Sequence, residues 1–227
     1  MSAKRFMMLI GVVMLLVGGL VVAPFVVSAN DELLKLQQDD GQWVMQSKNY
    51  SGHRYSGLTQ ITRDNIKDLH VSWSFSLGTT NGQEGGPLVV GTTMYVHSSY
   101  PNHVYALDLA KEGAPMIWKY TPKQDARAVP VACCDLVHRG VNYAEGKILM
   151  ITLDGQVIAL DAKTGKELWK QKNADPTRGE TMTGSGLVAK DKFIVGNAGG
   201  EFGVRGTVTA YNINTGKRVW RGLSQGP

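Results

Sequence analysis

Only two cysteines occur in the 227 residues, and they are neighbours, Cys133 and Cys134. So sparse a set excludes a disulfide-stapled fold and the multi-cysteine zinc motifs. The Cys-x-x-Cys-His signature of attached haem is missing, as are a P-loop and a Gly-x-Gly-x-x-Gly dinucleotide fingerprint. The five histidines, His53, His70, His97, His103 and His138, show no metal-ligand spacing and read as strand or loop residues. No block of Lys or Arg is present, which argues against nucleic acid as a partner. Acidic residues are absent from residues 1–29, and long apolar runs are absent everywhere else.

That one apolar run is informative. Lys4 and Arg5 precede a stretch from Phe6 to Val27, and Val27-Ser28-Ala29 offers short side chains at a cleavage site. The pattern predicts a signal peptide over 1–29, export to the periplasm and maturation near Asn30. An uncleaved anchor is the alternative, because the run approaches membrane-spanning length. Without residues 1–29 the formal charge of +5 falls to 22 basic against 19 acidic residues, a mild excess.

Glycine is abundant at 27, and the stretches between glycines are short, which favours strands and turns. Asp31–Leu36 reads as a short helix with acids in its first turn, and 65–69 as a turn or second short helix, within a leader over 30–70. From residue 71 the chain repeats. Val104-Tyr105-Ala106-Leu107-Asp108 leads to Trp118; Val157-Ile158-Ala159-Leu160-Asp161 leads through Thr164-Gly165 to Trp169; Val208-Thr209-Ala210-Tyr211-Asn212 leads through Thr215-Gly216 to Trp220. Trp118, Trp169 and Trp220 are spaced by 51, and Trp73 stands 45 earlier, as the end of an earlier copy. Each copy reads as an alternating strand, a hairpin turn with glycine at positive φ, and a second strand ending in Trp. Runs such as 147–151 and 192–196 supply further strands. Four strands in about fifty residues is a propeller blade, so the fold class is all-β, a partial β-propeller of three to four blades over 71–227, with Trp packed between blades. A parallel β-helix has much shorter repeats. A stack this short leaves an edge strand uncovered, which predicts that the chain is the front of a longer one.

In an exported protein the adjacent cysteines are expected to oxidise, yet they can close only through an eight-membered ring that strains the intervening peptide. The ring would close almost no loop and so adds little stability. A functional ring and a pair of buried thiols both remain open from chemistry alone.

The tryptophan repeat, the segment Val129-Pro130-Val131-Ala132-Cys133-Cys134-Asp135-Leu136-Val137-His138-Arg139-Gly140 and the segment Gly199-Gly200-Glu201-Phe202-Gly203-Val204-Arg205-Gly206 resemble the large subunit of PQQ-dependent methanol and alcohol dehydrogenases. Gly-Gly-Glu-Phe-Gly and Asp31–Gln38 look closest to the lanthanide-dependent Xox-type branch. The resemblance covers 31–227, including Trp43, Arg54-Tyr55-Ser56 and Leu58. It implies an eight-bladed propeller of which the C-terminal half is absent here.

It also implies roles. Cys133 and Cys134 match a vicinal disulfide lying against one face of pyrroloquinoline quinone (PQQ). Arg139 matches an arginine that pairs with a PQQ carboxylate, for which a guanidinium fork is suited, and Val137 would line the same pocket. Glu84 matches a cofactor-contacting acid, although an isolated loop acid is ordinarily solvated. Thr177 and Thr183 match cofactor-bonding hydroxyls. Ala198 departs from the pattern, where Ser is common, and Gly199 and Gly200 would let backbone approach the quinone. Glu201 matches a metal ligand, a hard oxygen donor for Ca²⁺ or a lanthanide ion. The implied activity is oxidation of a small alcohol, methanol above all, with electrons leaving to a cytochrome c and a homodimer as one assembly. The matching catalytic base and remaining ligands would lie beyond Pro227, so this chain would not turn over by itself. A non-catalytic exported scaffold for protein binding is the competing reading, and a truncated inactive product a third. A scaffold needs none of Cys133, Cys134, Arg139 or Glu201.

Overall fold

The computed structural model describes residues 29–225. The signal-peptide reading of 1–29 therefore falls, Ala29 apart, outside the described residues. Among these, no helix is long and apolar enough to cross a membrane.

Twelve strands form three four-stranded antiparallel sheets, each in sequence order. The first holds β1 (Leu88–Val90), β2 (Thr93–His97), β3 (Val104–Asp108) and β4 (Met116–Tyr120). The second holds β5 (Asn142–Ala144), β6 (Lys147–Ile151), β7 (Gln156–Asp161) and β8 (Glu167–Lys172). The third holds β9 (Leu187–Ala189), β10 (Lys192–Gly196), β11 (Thr207–Asn212) and β12 (Arg218–Leu223). The third and fourth strands of every sheet slip register at the same place, at Ala106/Leu107, Ala159/Leu160 and Ala210/Tyr211. One side-chain device makes the following turn in the last two sheets. Asp161 Oδ1 accepts from the amides of Lys163 and Thr164 and from the Thr164 hydroxyl; Asn212 Oδ1 accepts from Asn214, Thr215 and the Thr215 hydroxyl in the same way.

The sheets are blades, and tryptophan joins them. The Trp118 ring lies on Gly165 of the next blade, where an added Cβ would stand 2.7 Å from it, and the Trp169 ring lies likewise on Gly216. Both glycines have positive φ, near 70°, so the residue type is fixed twice, by backbone conformation and by the ring above it. Between the blades lie two apolar cores, one around Ile148, Met150, Ile158 and Leu160 with Trp118, the other around Leu149, Ile151, Phe193 and Tyr211 with Trp169.

The earlier copy expected to end at Trp73 does not form a blade. Residues 71–75 join no sheet, and Leu69 and Val71 are exposed. An alternating segment becomes a strand only where neighbouring strands satisfy its backbone, and the described residues supply none there. Instead Phe75 packs edge-on against Tyr105, whose hydroxyl donates to the Leu77 carbonyl. Three blades are therefore present among the described residues.

The leader binds the first strand of each blade. Trp43 exchanges two backbone hydrogen bonds with Val89 in β1, each 2.9 Å. The Tyr143 hydroxyl in β5 donates to Glu32, and the Tyr50 hydroxyl donates to the Val188 carbonyl in β9. The expected helix, α1 (Asp31–Leu36), is present. Asn30 caps it by accepting from the Leu33 amide at 3.2 Å, Asp31 and Glu32 face its positive end, and Leu33 is buried. The Asn30 amide group also donates to Glu145 and to the Lys190 carbonyl, fixing the helix across two blades. The turn expected near residue 66 is the short 3-10 segment Ile66–Asp68.

Candidate cofactor site

Antiparallel connectivity gathers the site loops. In each blade the approach to the first strand, the link between second and third strands and the exit of the fourth lie at one end. The hairpin turns that receive tryptophan lie at the other. Glu84 approaches β1, Cys133 to Arg139 approach β5, Thr177 and Thr183 approach β9, and Ala198 to Glu201 link β10 to β11. All the residues singled out in the sequence thus belong to one end of the blades.

Two clusters form there. In the first, Arg139 Nη2 lies 2.8 Å from Glu84 Oε2, and Arg139 Nη1 donates to Thr183 Oγ1 at 3.0 Å and to the Thr183 carbonyl at 3.2 Å. Three segments from three blades so meet at one guanidinium, whose side chain stays 45% exposed. Arg139 and Glu84 help wall a cavity of about 720 Å³ that Trp43, Gln46, Arg54 and Ser185 complete.

The second group is the Cys133–Cys134 loop, with Glu201 among the charges that act on it. The Cys133 thiol is pushed up to about 11, chiefly by the Cys134 sulfur beside it and further by the Glu201 carboxylate. Glu201 belongs to the link between β10 and β11 in the neighbouring blade. Both cysteines lie exposed on the loop, which sets aside a pair of buried thiols. The loop is shaped by Cys134 and Asp135, both left-handed at φ 64° and 70°, a conformation that costs non-glycine residues energy. Asp135 offsets this by accepting from the amides of Leu136 (2.6 Å) and Gly82 (2.8 Å), and those bonds hold its carboxyl below the usual range.

Cys133 and Arg139 ride the same loop, and Thr183 lies two residues from Thr181, which bridges to Ala198 next to the Glu201 loop. The Thr181 hydroxyl is buried and has no partner.

Three expected residues fall differently. Thr177 is exposed, and its hydroxyl donates to Asp175 at 2.8 Å, which caps a turn rather than joining either cluster. Val137 is 2% exposed and supports the loop from beneath, close to Gly82. Gly199, at φ 124°, is required by the chain itself, because a side chain there would run into the Gly179 carbonyl; Gly200 has open space above it.

Sequence reasoning missed a histidine pair. His97 and His138, 41 residues apart, meet edge to face with ring centroids 4.7 Å apart, and both are buried. Burial pushes His97 down to about 4 and His138 well below its ordinary value. The available signal was topological: His97 ends β2 and His138 approaches β5, positions at the same end of adjacent blades. Among the described residues no three His, Cys, Asp or Glu side chains cluster to hold a metal, so Glu201 offers a single carboxylate.

Fold and site together define a β-propeller whose functional loops, drawn from several blades, gather at one end. Residues 43–222 match the family model described as "PQQ: Glucose/ethanol/alcohol dehydrogenase, beta-propeller domain", and the chain belongs to this family. It is 64% identical over 209 residues to the lanthanide-dependent methanol dehydrogenase of Methylacidiphilum fumariolicum (strain SolV), an alignment covering 92% of this chain and 34% of that protein. It is 48% identical over 205 residues to methanol dehydrogenase [cytochrome c] subunit 1 of Methylobacterium organophilum, covering 88% and 33%. The solved structure of a europium-containing methanol dehydrogenase superposes with a TM-score of 0.86 at 66% identity, covering 87% of this chain and 34% of that one. The chain spans about a third of the length of the curated relatives it matches.

Proposed function

We propose that this chain supplies part of the cofactor site of a periplasmic PQQ-dependent enzyme that oxidises small primary alcohols, with methanol the leading substrate and a cytochrome c the electron acceptor. The single observation carrying the reading is the meeting of Glu84, Arg139 and Thr183, from three separate segments, at the wall of an open cavity. The donor set fits the group. A half-exposed guanidinium suits the carboxylates of PQQ, and Cys133 and Cys134, joined as the resemblance implies, would offer a flat face to its ring. Glu201 offers the hard oxygen that Ca²⁺ or a lanthanide ion prefers.

When bound, PQQ and its metal would supply a two-electron acceptor with a polarised carbonyl. The work of this chain is binding and orientation. Arg139, braced by Glu84 and Thr183, presents a fixed positive charge. Glu201, beside the cysteine loop, contributes one metal-binding oxygen. No residue of this chain is assigned as the proton acceptor from the alcohol. The printed names of the relatives support the substrate class, and the cytochrome c named with one of them supports the acceptor.

Titration of the purified chain with PQQ in the presence of Ca²⁺ or La³⁺, followed by tryptophan fluorescence, tests the site. Saturable binding that weakens at least about tenfold in Arg139→Ala is expected, as for loss of a charge-assisted hydrogen bond. Absence of binding by the native chain overturns the reading. Dye-linked methanol oxidation by the protein isolated from its host tests the activity.

A further inference from the structure

Behind the Arg139 cluster lies the buried histidine pair, to which the cofactor reading gives no role. We propose that His97 is the positioning residue of the Glu84–Arg139 pair: it sets the backbone of both partners without touching a ligand. The proposal rests on the cofactor reading above.

The geometry runs through one imidazole. His97 is 1% exposed and ends β2. Its Nε2–H donates at 3.1 Å to the carbonyl of His138, the peptide group whose nitrogen belongs to Arg139. On its other side the ring fills the space over Gly85, the residue after Glu84. A Cβ on Gly85 would enter the His97 ring and stand 2.7 Å from the Arg139 carbonyl carbon. Gln83, the residue before Glu84, donates from its amide to the His97 carbonyl (3.1 Å) and the Gly85 carbonyl (3.3 Å), and accepts from the Ser99 amide (3.1 Å). Segments 83–85 and 138–139, which are 55 residues apart in sequence, are thus built against the same ring.

His138 completes the device. Its Nε2–H donates at 3.0 Å to the Ile151 carbonyl in β6, so the ring under the arginine is tied to the second blade. Both histidines are kept neutral by burial, and each carries its proton on Nε2, where a carbonyl accepts it. Gln83 Nε2 also lies 3.2 Å from His97 Nε2, but two proton-bearing nitrogens make a contact there and not a bond. The reason for such a base is entropic. A half-exposed arginine and glutamate lose rotamer freedom when held in one geometry. An ion pair that open to water gains too little to hold itself. A rigid buried ring beneath both backbones confines the pair before a ligand arrives.

The test uses the full chain and three variants: His97→Phe, which keeps the ring and loses the N–H; His97→Gln, which restores a donor; and Gly85→Ala, which leaves His97 intact and forces the two segments apart. Two readouts are taken, the PQQ dissociation constant with Ca²⁺ and the exchange rate of the Arg139 Nε–H by ¹⁵N NMR in the unliganded chain. His97→Phe and Gly85→Ala are expected to raise the dissociation constant about tenfold, the scale of one buried hydrogen bond, and to speed Arg139 Nε–H exchange, with His97→Gln recovering most of both. If His97→Phe does not fold, Gly85→Ala carries the test. A folded His97→Phe or Gly85→Ala chain with native Nε–H exchange and PQQ affinity within twofold of native overturns the proposal. A native chain that binds no PQQ overturns the cofactor reading instead, and the exchange rates still decide whether His97 orders Arg139.

Discussion

The indole N–H of Trp118 donates to the carbonyl of Ala162, 3.0 Å away in the next blade, and Trp169 repeats the bond to Ile213 at 2.9 Å. Blade docking in this chain is therefore a hydrogen bond plus a ring laid flat on a glycine turn. Gly165→Ala should destabilise the chain by about 2 kcal/mol, since it combines a strained left-handed alanine with a methyl thrust into the Trp118 ring. Urea unfolding reads this directly. The same change at Gly113, which has open space around it, should cost only the backbone strain, about 1 kcal/mol.

The histidine pair links stability to acid. The folded state holds His97 near 4, while an unfolded histidine titrates near 6.5. Between those values the unfolded chain binds the extra proton, so stability is full above about pH 6.5 and falls as pH drops toward 4. The loss from His97 alone is about 3 kcal/mol. A urea midpoint that stays level from pH 7 to pH 4.5 would contradict this, and His97→Gln should flatten the profile.

Glu201 and Cys133 come from different blades, and chemistry can report their proximity. With the thiols reduced, Glu201→Gln removes a negative charge that holds the Cys133 thiol protonated. Alkylation of Cys133 by iodoacetamide at pH 8 should accelerate a fewfold, in proportion to its thiolate fraction. An unchanged rate would mean that the carboxylate does not act on the sulfur.

The two threonines make a paired prediction. Thr183→Val removes the hydroxyl that accepts from Arg139 and should weaken PQQ binding about fivefold, the value of one hydrogen bond of roughly 1 kcal/mol. Thr177→Val should leave PQQ affinity unchanged, because that hydroxyl serves Asp175. Equal losses at both positions would return Thr177 to the site.

Much of this molecule was legible before any coordinates. The tryptophan spacing gave the blades, and Thr-Gly gave the turns, because a repeat imposes the same local chemistry at every copy. The acids Asp31 and Glu32 marked the first turn of the helix. What could not be read depends on neighbours. Val71 to Phe75 alternates like a strand yet pairs with no strand among the described residues. That Gly199 also gives room to the Gly179 carbonyl is visible only in the fold. Thr177 and Thr183 are the same residue type six positions apart, and only the fold sends one to Asp175 and the other to Arg139. His97 and His138 are distant in sequence and meet only once two blades stand side by side.

The leader that grips the first strand of every blade has a kinetic consequence. Asn30 bonds to the Lys190 carbonyl across 160 residues of chain, and Tyr50 reaches Val188 across 138. Contacts so remote close the largest hydrogen-bonded loops among the described residues, and such loops are slow to close. The leader can therefore seat in stages, first on β1 through Trp43 and last on β9 once the third sheet exists to receive Tyr50.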